Sequence, residues 1–371
     1  MSVAVVHDWL TVYGGAERAL EQILTLFPHA DLFSLIDFFP QNLRHHLLDK
    51  KADTTFIQKL PFAKKGYRNY LPLMPFAVEQ LDMREYDLVI SSSHAVAKGV
   101  LTAPDQLHLC YCYSPLRYAW DRYHDYLQPM KGPKRWIASW VLHKMRLWDV
   151  RSSHGVDAFA AISRFVAKRI KKIYNRPARV IYPPVCFDSF PLKEKKEDFY
   201  VTASRLVPYK RIDLIIEAFR KLPSKRLYVI GEGPEKKKLS GKAPSNVTLL
   251  GHQSSDALSE YLSNAKAFIF AAIEDFGIAP LEAQACGTPV IAYEGGAVCE
   301  TLEGFQSNYP TGCFFNKQTP EALREAIEIF EQHKERISAQ RCRQNAERFS
   351  ISRFQNDFLS FVEGSKSNLA M

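Results

Sequence analysis

Val3-Ala4-Val5-Val6-His7-Asp8-Trp9-Leu10-Thr11-Val12-Tyr13-Gly14-Gly15-Ala16-Glu17-Arg18 begins with a short apolar run, continues through a polar turn and closes on a glycine pair. Beyond the glycines, Ala16, Ala19, Leu20, Ile23, Leu24 and Phe27 fall at helical spacing. The stretch therefore reads as strand, turn, helix, and the same unit recurs along the chain. Apolar strands are expected at 31–36, 87–90, 107–111 and 156–162, with helices at 134–151 and 163–174. Nearly continuous apolar strands between amphipathic helices predict a parallel sheet covered on both faces.

The rhythm breaks at Tyr182-Pro183-Pro184-Val185 and at the charged run Lys193-Glu194-Lys195-Lys196-Glu197-Asp198, which together read as a hinge. It then restarts, with strands expected at 199–203, 226–230, 247–250, 267–271 and 289–292. The 371 residues thus divide into two doubly wound α/β domains, 1–187 and 188–349, followed by a helix and tail at 350–371. Phe354, Phe358, Phe361 and Val362 share one stripe of that last helix, so it is expected to pack on the N-terminal domain.

Composition narrows the class. Hydrophobic content of 46% with 24% charge belongs to a folded globular chain and argues against disorder. No run approaches the ~18 apolar residues of a membrane span, and the first residues read as a strand rather than a signal peptide, so a cytoplasmic enzyme is expected. The formal charge of +9 favours an anionic partner such as nucleotide phosphate, an acidic membrane surface or nucleic acid. Seven cysteines without a C-x-x-C pair read as reduced thiols, and a zinc site is not expected.

In doubly wound sheets, ligands sit beyond the C-terminal ends of the strands, so the strand-to-helix turns are where chemistry is sought. Gly14 and Gly15 could let backbone amides approach a phosphate, although a plain turn accounts for them equally well. Ser204-Arg205-Leu206-Val207-Pro208-Tyr209-Lys210-Arg211 gathers cations where the helix dipole disfavours them, which suits a diphosphate partner; the alternative is a solvated basic loop. Lys210 and Arg211 are expected to begin the next helix. Glu274-Asp275-Phe276-Gly277-Ile278-Ala279-Pro280-Leu281-Glu282 places one acid in a loop and one in the first turn of a helix opened by Pro280. Gly231-Glu232-Gly233 lacks the third glycine of a dinucleotide fingerprint. No D-x-D or clustered metal-ligand set is present, so Lys and Arg would supply the positive charge and no metal cofactor is expected. Two segments interleave cations with aromatics. Residues 56–76 contain Lys59, Lys64, Lys65 and Arg68 without an acid, and 131–151 surround Trp136, Trp140 and Trp148 with Lys and Arg. Such segments suit an anionic lipid surface, the alternative being that Trp136, Trp140 and Met145 are core residues.

Together, Gly14-Gly15-Ala16-Glu17-Arg18, Ser204-Arg205…Lys210, Gly231-Glu232-Gly233-Pro234 and Glu274…Glu282 resemble the retaining glycosyltransferases of family 4, which have the GT-B fold, and more narrowly the bacterial mannosyltransferases of O-antigen, lipopolysaccharide and related surface-polysaccharide synthesis. The resemblance implies two Rossmann-like domains facing a cleft, a nucleotide-sugar donor such as GDP-mannose, and a lipid-linked or polysaccharide glycan acceptor, used at the inner face of the cytoplasmic membrane. It implies that Gly14 and Gly15 offer amides to the donor diphosphate and that Arg205 and Lys210 neutralise it. Glu274, with the backbone of Phe276, Gly277 and Ile278, would contact the donor sugar, and Glu282 the ribose. Gly231, Gly233, Gly251 and His252 would frame the base. Relatives carry His-Thr-Pro after a Cys-Tyr-Cys-like strand, whereas here Tyr113-Ser114-Pro115 follows Cys110-Tyr111-Cys112. Tyr113 stands in the histidine's place, and His94 is the substitute candidate for the sugar contact. Competing expectations are a nucleotide-sugar epimerase or phosphorylase on the same scaffold, and a basic nucleic-acid-binding or non-catalytic partner protein.

Overall fold

Seven short strands build the first sheet of the computed structural model, which describes residues 1–369. They are β1 (Val3–His7), β2 (Asp31–Ser34), β3 (Asp53–Thr54), β4 (Leu88–Ser93), β5 (Leu107–Cys112), β6 (Ala158–Ala161) and β7 (Ala178–Val180). All pair in parallel, in the order β3-β2-β1-β4-β5-β6-β7. The central strands are buried along their whole length, which is why they read as unbroken apolar runs rather than alternating ones. The sequence passes from β1 outward to β3 and then returns to β4 on the other side of β1. The strand order therefore reverses between β1 and β4.

A second sheet holds β8 (Phe199–Ala203), β9 (Arg226–Ile230), β10 (Val247–Gly251), β11 (Ala267–Phe270), β12 (Val290–Tyr293) and β13 (Gly312–Phe315). It too is parallel, in the order β10-β9-β8-β11-β12-β13, and reverses between β8 and β11. Each sheet has its own apolar core, one around Val6, Val78, Val89 and Met145, the other around Ile215, Phe219, Ile269 and Phe330.

Chain contacts divide the protein into two units, residues 1–184 with the segment from Ser352 onward, and Val185–Ile351. The final helix, Ile351–Leu369, lays Phe354 and Phe358 against Tyr111 of β5 at ring separations of 5.5 and 6.0 Å. Phe361 and Val362 are buried beside them. Residues 370 and 371 of the expected tail lie outside the described residues.

Several expected boundaries shift. Strands β3, β7 and β13 were not expected, because two to four residues at a sheet edge carry too little periodicity to be read. Lys210 and Arg211 do not begin a helix: Pro208–Lys210 form a 3₁₀ turn, Arg211 takes a left-handed backbone with φ of 54°, and the helix starts at Ile212. Glu282 sits in the second turn of helix Ile278–Ala285, not the first, because the helix is capped at Gly277 and begins two residues before Pro280. All seven cysteines are free.

Candidate functional site

In the second unit, the loops that leave β8 and β11 flank the reversal of strand order, where a ligand crevice forms in open α/β sheets. The β8 loop carries Arg205 and Lys210, and the β11 loop carries Glu274. Lys210 Nζ forms a salt bridge with Glu274 Oε1, so the two loops are tied across the switch point. Both side chains keep partial exposure, 15% and 20%, so solvent or a ligand reaches the pair. The Arg205 side chain is exposed and makes no hydrogen bond or ion pair among the described residues, while its carbonyl accepts from Val207 N–H at 2.9 Å. A half-buried Lys–Glu pair, with an uncommitted Arg side chain on the same loop as the Lys, can neutralise an anion while presenting a carboxylate to hydroxyl groups.

The glycine turns explain how the loops stay in place. Gly231 follows β9 with φ of 133°, and a Cβ there would run into the Ser204 carbonyl. Gly233 is pressed in the same way against the Leu206 backbone. Leu206 N–H donates to the Glu232 carbonyl at 2.8 Å, and Gly231 N–H donates to the Gly251 carbonyl at 2.7 Å. Gly231, Gly233 and Gly251 thus knit the β8, β9 and β10 turns together, and His252 is exposed at their edge. Gly277 N-caps its helix with φ of 87°, which only glycine adopts without strain. Phe276 is buried on the Phe349 ring, Ile278 is half-buried, and Glu282 is 7% exposed. The Glu274 backbone is fixed from the far side, where Ala297 N–H donates to its carbonyl at 3.0 Å.

In the first unit, the loops after β1 and β4 flank the other reversal. Asp8, fully buried, accepts from the backbone amides of His94, Ala95, Val96 and Ala97 at 2.5, 2.9, 2.6 and 2.7 Å. His94 Nδ1 lies 3.0 Å from Asp8 Oδ2. Burial pushes the Asp8 carboxyl up, but the His94 charge and the amides outweigh it and hold the group well below the usual carboxylate range. Burial likewise works against a charged His94, yet Asp8 outweighs it and raises His94 above an ordinary histidine. Sequence reasoning quoted Asp8 within the first turn and gave it no role. The available signal was an acid placed directly after a buried strand.

The Gly14 amide is engaged inside the chain, donating to Glu17 Oε2 at 2.9 Å, so of the two glycines only Gly15 is exposed. Glu17 in turn lies 3.7 Å from His7 Nε2. Tyr113 differs from the expectation more sharply. Its hydroxyl donates to the Ala16 carbonyl at 2.8 Å and pairs with Ser92 Oγ at 2.9 Å, and the ring is 8% exposed. A hydroxyl has one proton to give, and here Tyr113 gives it to the Ala16 carbonyl, which leaves its oxygen to act only as an acceptor.

The two basic segments also lie in the first unit. Lys59, Lys64, Lys65 and Arg68 are exposed, and Phe62 beside them is 88% exposed. On helix Gly132–Ser152, Trp136 and Trp140 are 82% and 61% exposed, whereas Met145 is core. The core alternative therefore holds for Met145 and fails for both tryptophans.

Comparison with known proteins narrows the reading. Residues 187–349 match the family of glycosyl transferases, group 1. An uncharacterized glycosyltransferase of Methanocaldococcus jannaschii is 25% identical over 177 residues, 46% of this chain and 48% of that protein. A GDP-mannose-dependent monoacylated alpha-(1-6)-phosphatidylinositol monomannoside mannosyltransferase of Corynebacterium glutamicum is 29% identical over 178 residues, 40% of this chain and 47% of that protein. The chain thus spans about half the length of the curated relatives it matches. Among solved structures, Anabaena HepE in complex with UDP superposes with a TM-score of 0.70 at 17% identity, covering 98% of this chain and 100% of that one. Sucrose-phosphate synthase of Thermosynechococcus elongatus gives 0.73 at 16%, covering 99% and 100%. At such identity these likenesses speak for the fold, two Rossmann-like α/β domains of the GT-B kind. The matched residues 187–349 include Arg205, Lys210, Glu274, Glu282 and the glycine turns, while Asp8, His94, Tyr113 and the basic segments lie outside the match.

Proposed function

We propose that this chain is a retaining glycosyltransferase that moves a sugar, mannose from GDP-mannose, from a nucleotide-sugar donor to a glycan acceptor. The observation that carries the reading is the Lys210–Glu274 pair tied across the strand switch of the region that matches the group 1 glycosyl transferases, with the exposed Arg205 on the same loop as Lys210. Solved Anabaena HepE with UDP and with UDP-glucose supports a nucleotide-sugar ligand, and the Corynebacterium relative supports GDP-mannose.

In this mechanism the leaving diphosphate gathers negative charge as the anomeric bond breaks. Arg205 and Lys210 stabilise that charge, an electrostatic contribution worth several kcal/mol in comparable sites (about 2.7–4 per donor). Glu274, released from Lys210 by the incoming phosphate, takes the sugar hydroxyls, and Glu282 the ribose. The leaving phosphate accepts the acceptor's hydroxyl proton on the same face of the sugar, so the anomeric configuration is kept without a protein nucleophile. Lys and Arg carry the diphosphate in this reading, so transfer is expected to survive EDTA. The exposed aromatics and cations of the first unit suit an acceptor presented at an anionic lipid surface, with the protein peripheral to the inner face of the membrane.

A thermal-shift screen against GDP-, UDP- and ADP-sugars tests the donor, since a ligand at 100 times its Kd stabilises by about 2.7 kcal/mol. The reading expects the largest shift with GDP-mannose and no isomerised sugar when donor is incubated alone. No shift with any nucleotide sugar refutes it.

A further inference from the structure

The loop after β4 is anchored at both ends by buried charge. At its start, Asp8 closes all of its lone-pair directions on four backbone amides, two on each oxygen. At its end, Lys98 pairs with Asp149 at 2.5 Å, both essentially without exposure. Asp149 also accepts from Trp120 Nε1 at 2.8 Å and from the Tyr174 hydroxyl at 3.0 Å, and Lys98 Nζ sits between the Trp148 and Tyr174 rings. Buried ion pairs contribute little net stability against apolar replacements, so two of them on the short turn 94–99 need another reason. The turn they fix presents one titratable side chain toward solvent, His94, which keeps 29% exposure at the strand switch of the first unit.

His94 is held in one orientation. Its Nδ1 faces the Asp8 carboxylate at 3.0 Å, an ion-pair contact. Its ring meets Trp9 edge-on at 4.5 Å. The other nitrogen, Nε2, has no hydrogen-bond partner among the described residues, and Trp9 next to it is only half-buried. A fixed cationic N–H beside an aromatic side chain is a common way to hold a saccharide hydroxyl.

We propose that Asp8 is a positioning residue that fixes His94 as an imidazolium at this switch, and that His94 Nε2–H donates to a saccharide hydroxyl of the substrate. The proposal rests on the glycosyltransferase reading for its substrate and assigns to a different strand end the donation to sugar for which Tyr113 has no free proton. The charged groups facing His94 are Asp8, Glu17 and Arg68 from the basic segment, with the His7 and Tyr113 rings each at a separation of 6.2 Å. Asp8 and Glu17 favour the imidazolium, and Arg68 opposes it. The charge is therefore present below His94's raised pKa and lost as pH rises through it.

Two measurements test this on the full chain. NMR titration of the His94 imidazole, assigned through His94→Gln, is expected to place it above the ordinary 6.5 in the wild type and lower in Asp8→Asn. Transfer rates are expected to fall on the alkaline side with His94's own pKa. In Asp8→Asn that fall moves to lower pH, by roughly tenfold in rate at a fixed alkaline pH for each unit moved. His94→Gln, keeping a neutral donor, should lose the alkaline limb and transfer more slowly. A rise in KM for donor with acceptor saturating assigns the hydroxyl to the donor sugar; the converse assigns it to the acceptor. A wild-type His94 that titrates at or below 6.5, a His94→Gln enzyme with wild-type rates and pH profile, or an Asp8→Asn enzyme that is less stable yet keeps the wild-type profile overturns the proposal. If Asp8→Asn does not fold, the wild-type titration and His94→Gln still decide. Absence of transfer from every donor refutes the glycosyltransferase reading instead, and the titration then judges the Asp8–His94 pair alone.

Discussion

Lys210 and Glu274 are the residues whose roles separate most cleanly by measurement. Lys210 is placed to act where negative charge develops, so Lys210→Ala is expected to lower transfer by about 10²–10³ while weakening donor binding much less. Glu274→Ala should leave nucleoside diphosphate affinity intact and impair transfer, whereas Glu282→Ala should weaken nucleoside diphosphate and donor alike. Calorimetry with nucleoside diphosphate and initial rates with donor check all three, and loss of nucleotide binding in Glu274→Ala alone would invert the assignment. Gly231 tests the scaffold rather than the chemistry. With φ of 133° and the Ser204 carbonyl against it, Gly231→Ala should cost about 2–3 kcal/mol in denaturant unfolding, the upper end of ordinary substitutions. These residues were legible as candidates because charge and glycine at a strand end are unusual. The sequence could not tell that the Gly14 amide is already taken by Glu17, or that Tyr113 gives its proton to Ala16.

Two elements carry predictions of their own. Helix Gly132–Ser152 exposes Trp136 and Trp140 among cations, and Lys144 Nζ lies 5.6 Å from the Trp140 ring centroid. Vesicles containing anionic lipid are expected to bind the protein, less so as salt screens the charges. Replacing Lys59, Lys64, Lys65 and Arg68 by Ser, or Trp136 and Trp140 by Ala, should weaken binding in a sedimentation assay; binding indifferent to salt and to these changes removes the lipid surface from the reading. The charged run before β8 holds a different device. Lys196 Nζ donates to the Ser263 and Cys286 carbonyls and to Thr288 Oγ1 at 2.8, 2.9 and 2.8 Å, without a carboxylate partner among the described residues. Burial lowers its pKa from 10.5 to about 8. Between those values the unfolded chain binds more protons than the folded one, so stability rises with pH across that window. Wild type should gain stability relative to Lys196→Met between pH 8 and 10 in paired melts; parallel curves would show that Lys196 does not titrate there. The run reads as a solvated hinge, because its lysines look alike until two helix C-termini supply carbonyls to one of them.

At the scale of the whole chain, the last helix leaves residues 185–351 and returns to the first unit. Phe354 and Phe358 are buried on Tyr111, so each change to Ala should cost about 3–5 kcal/mol. The loss is expected in the first unit alone. Limited proteolysis of Phe358→Ala should accelerate cuts within 1–184 and spare 185–351, and equal acceleration in both would mean that the two units unfold together.

Local pattern determined much of this protein. Apolar runs separated by helical periodicity gave two parallel-sheet domains, because burial on both sheet faces forces such runs and covering helices force the period. The stripe of Phe354, Phe358 and Phe361 gave the final helix its docking face for the same reason. Tertiary structure alone decided the sites. Strand order places the loops after β8 and β11 together, and those after β1 and β4 together, and order is a property of crossovers that no single segment records. Asp8 and His94 are 86 residues apart in sequence, and the four amides that saturate the carboxylate belong to a turn with no pattern of its own. Hydrogen-bond valence in a buried place is settled by neighbours in space, so a residue's type suggested what it could do and only the fold decided what it was free to do.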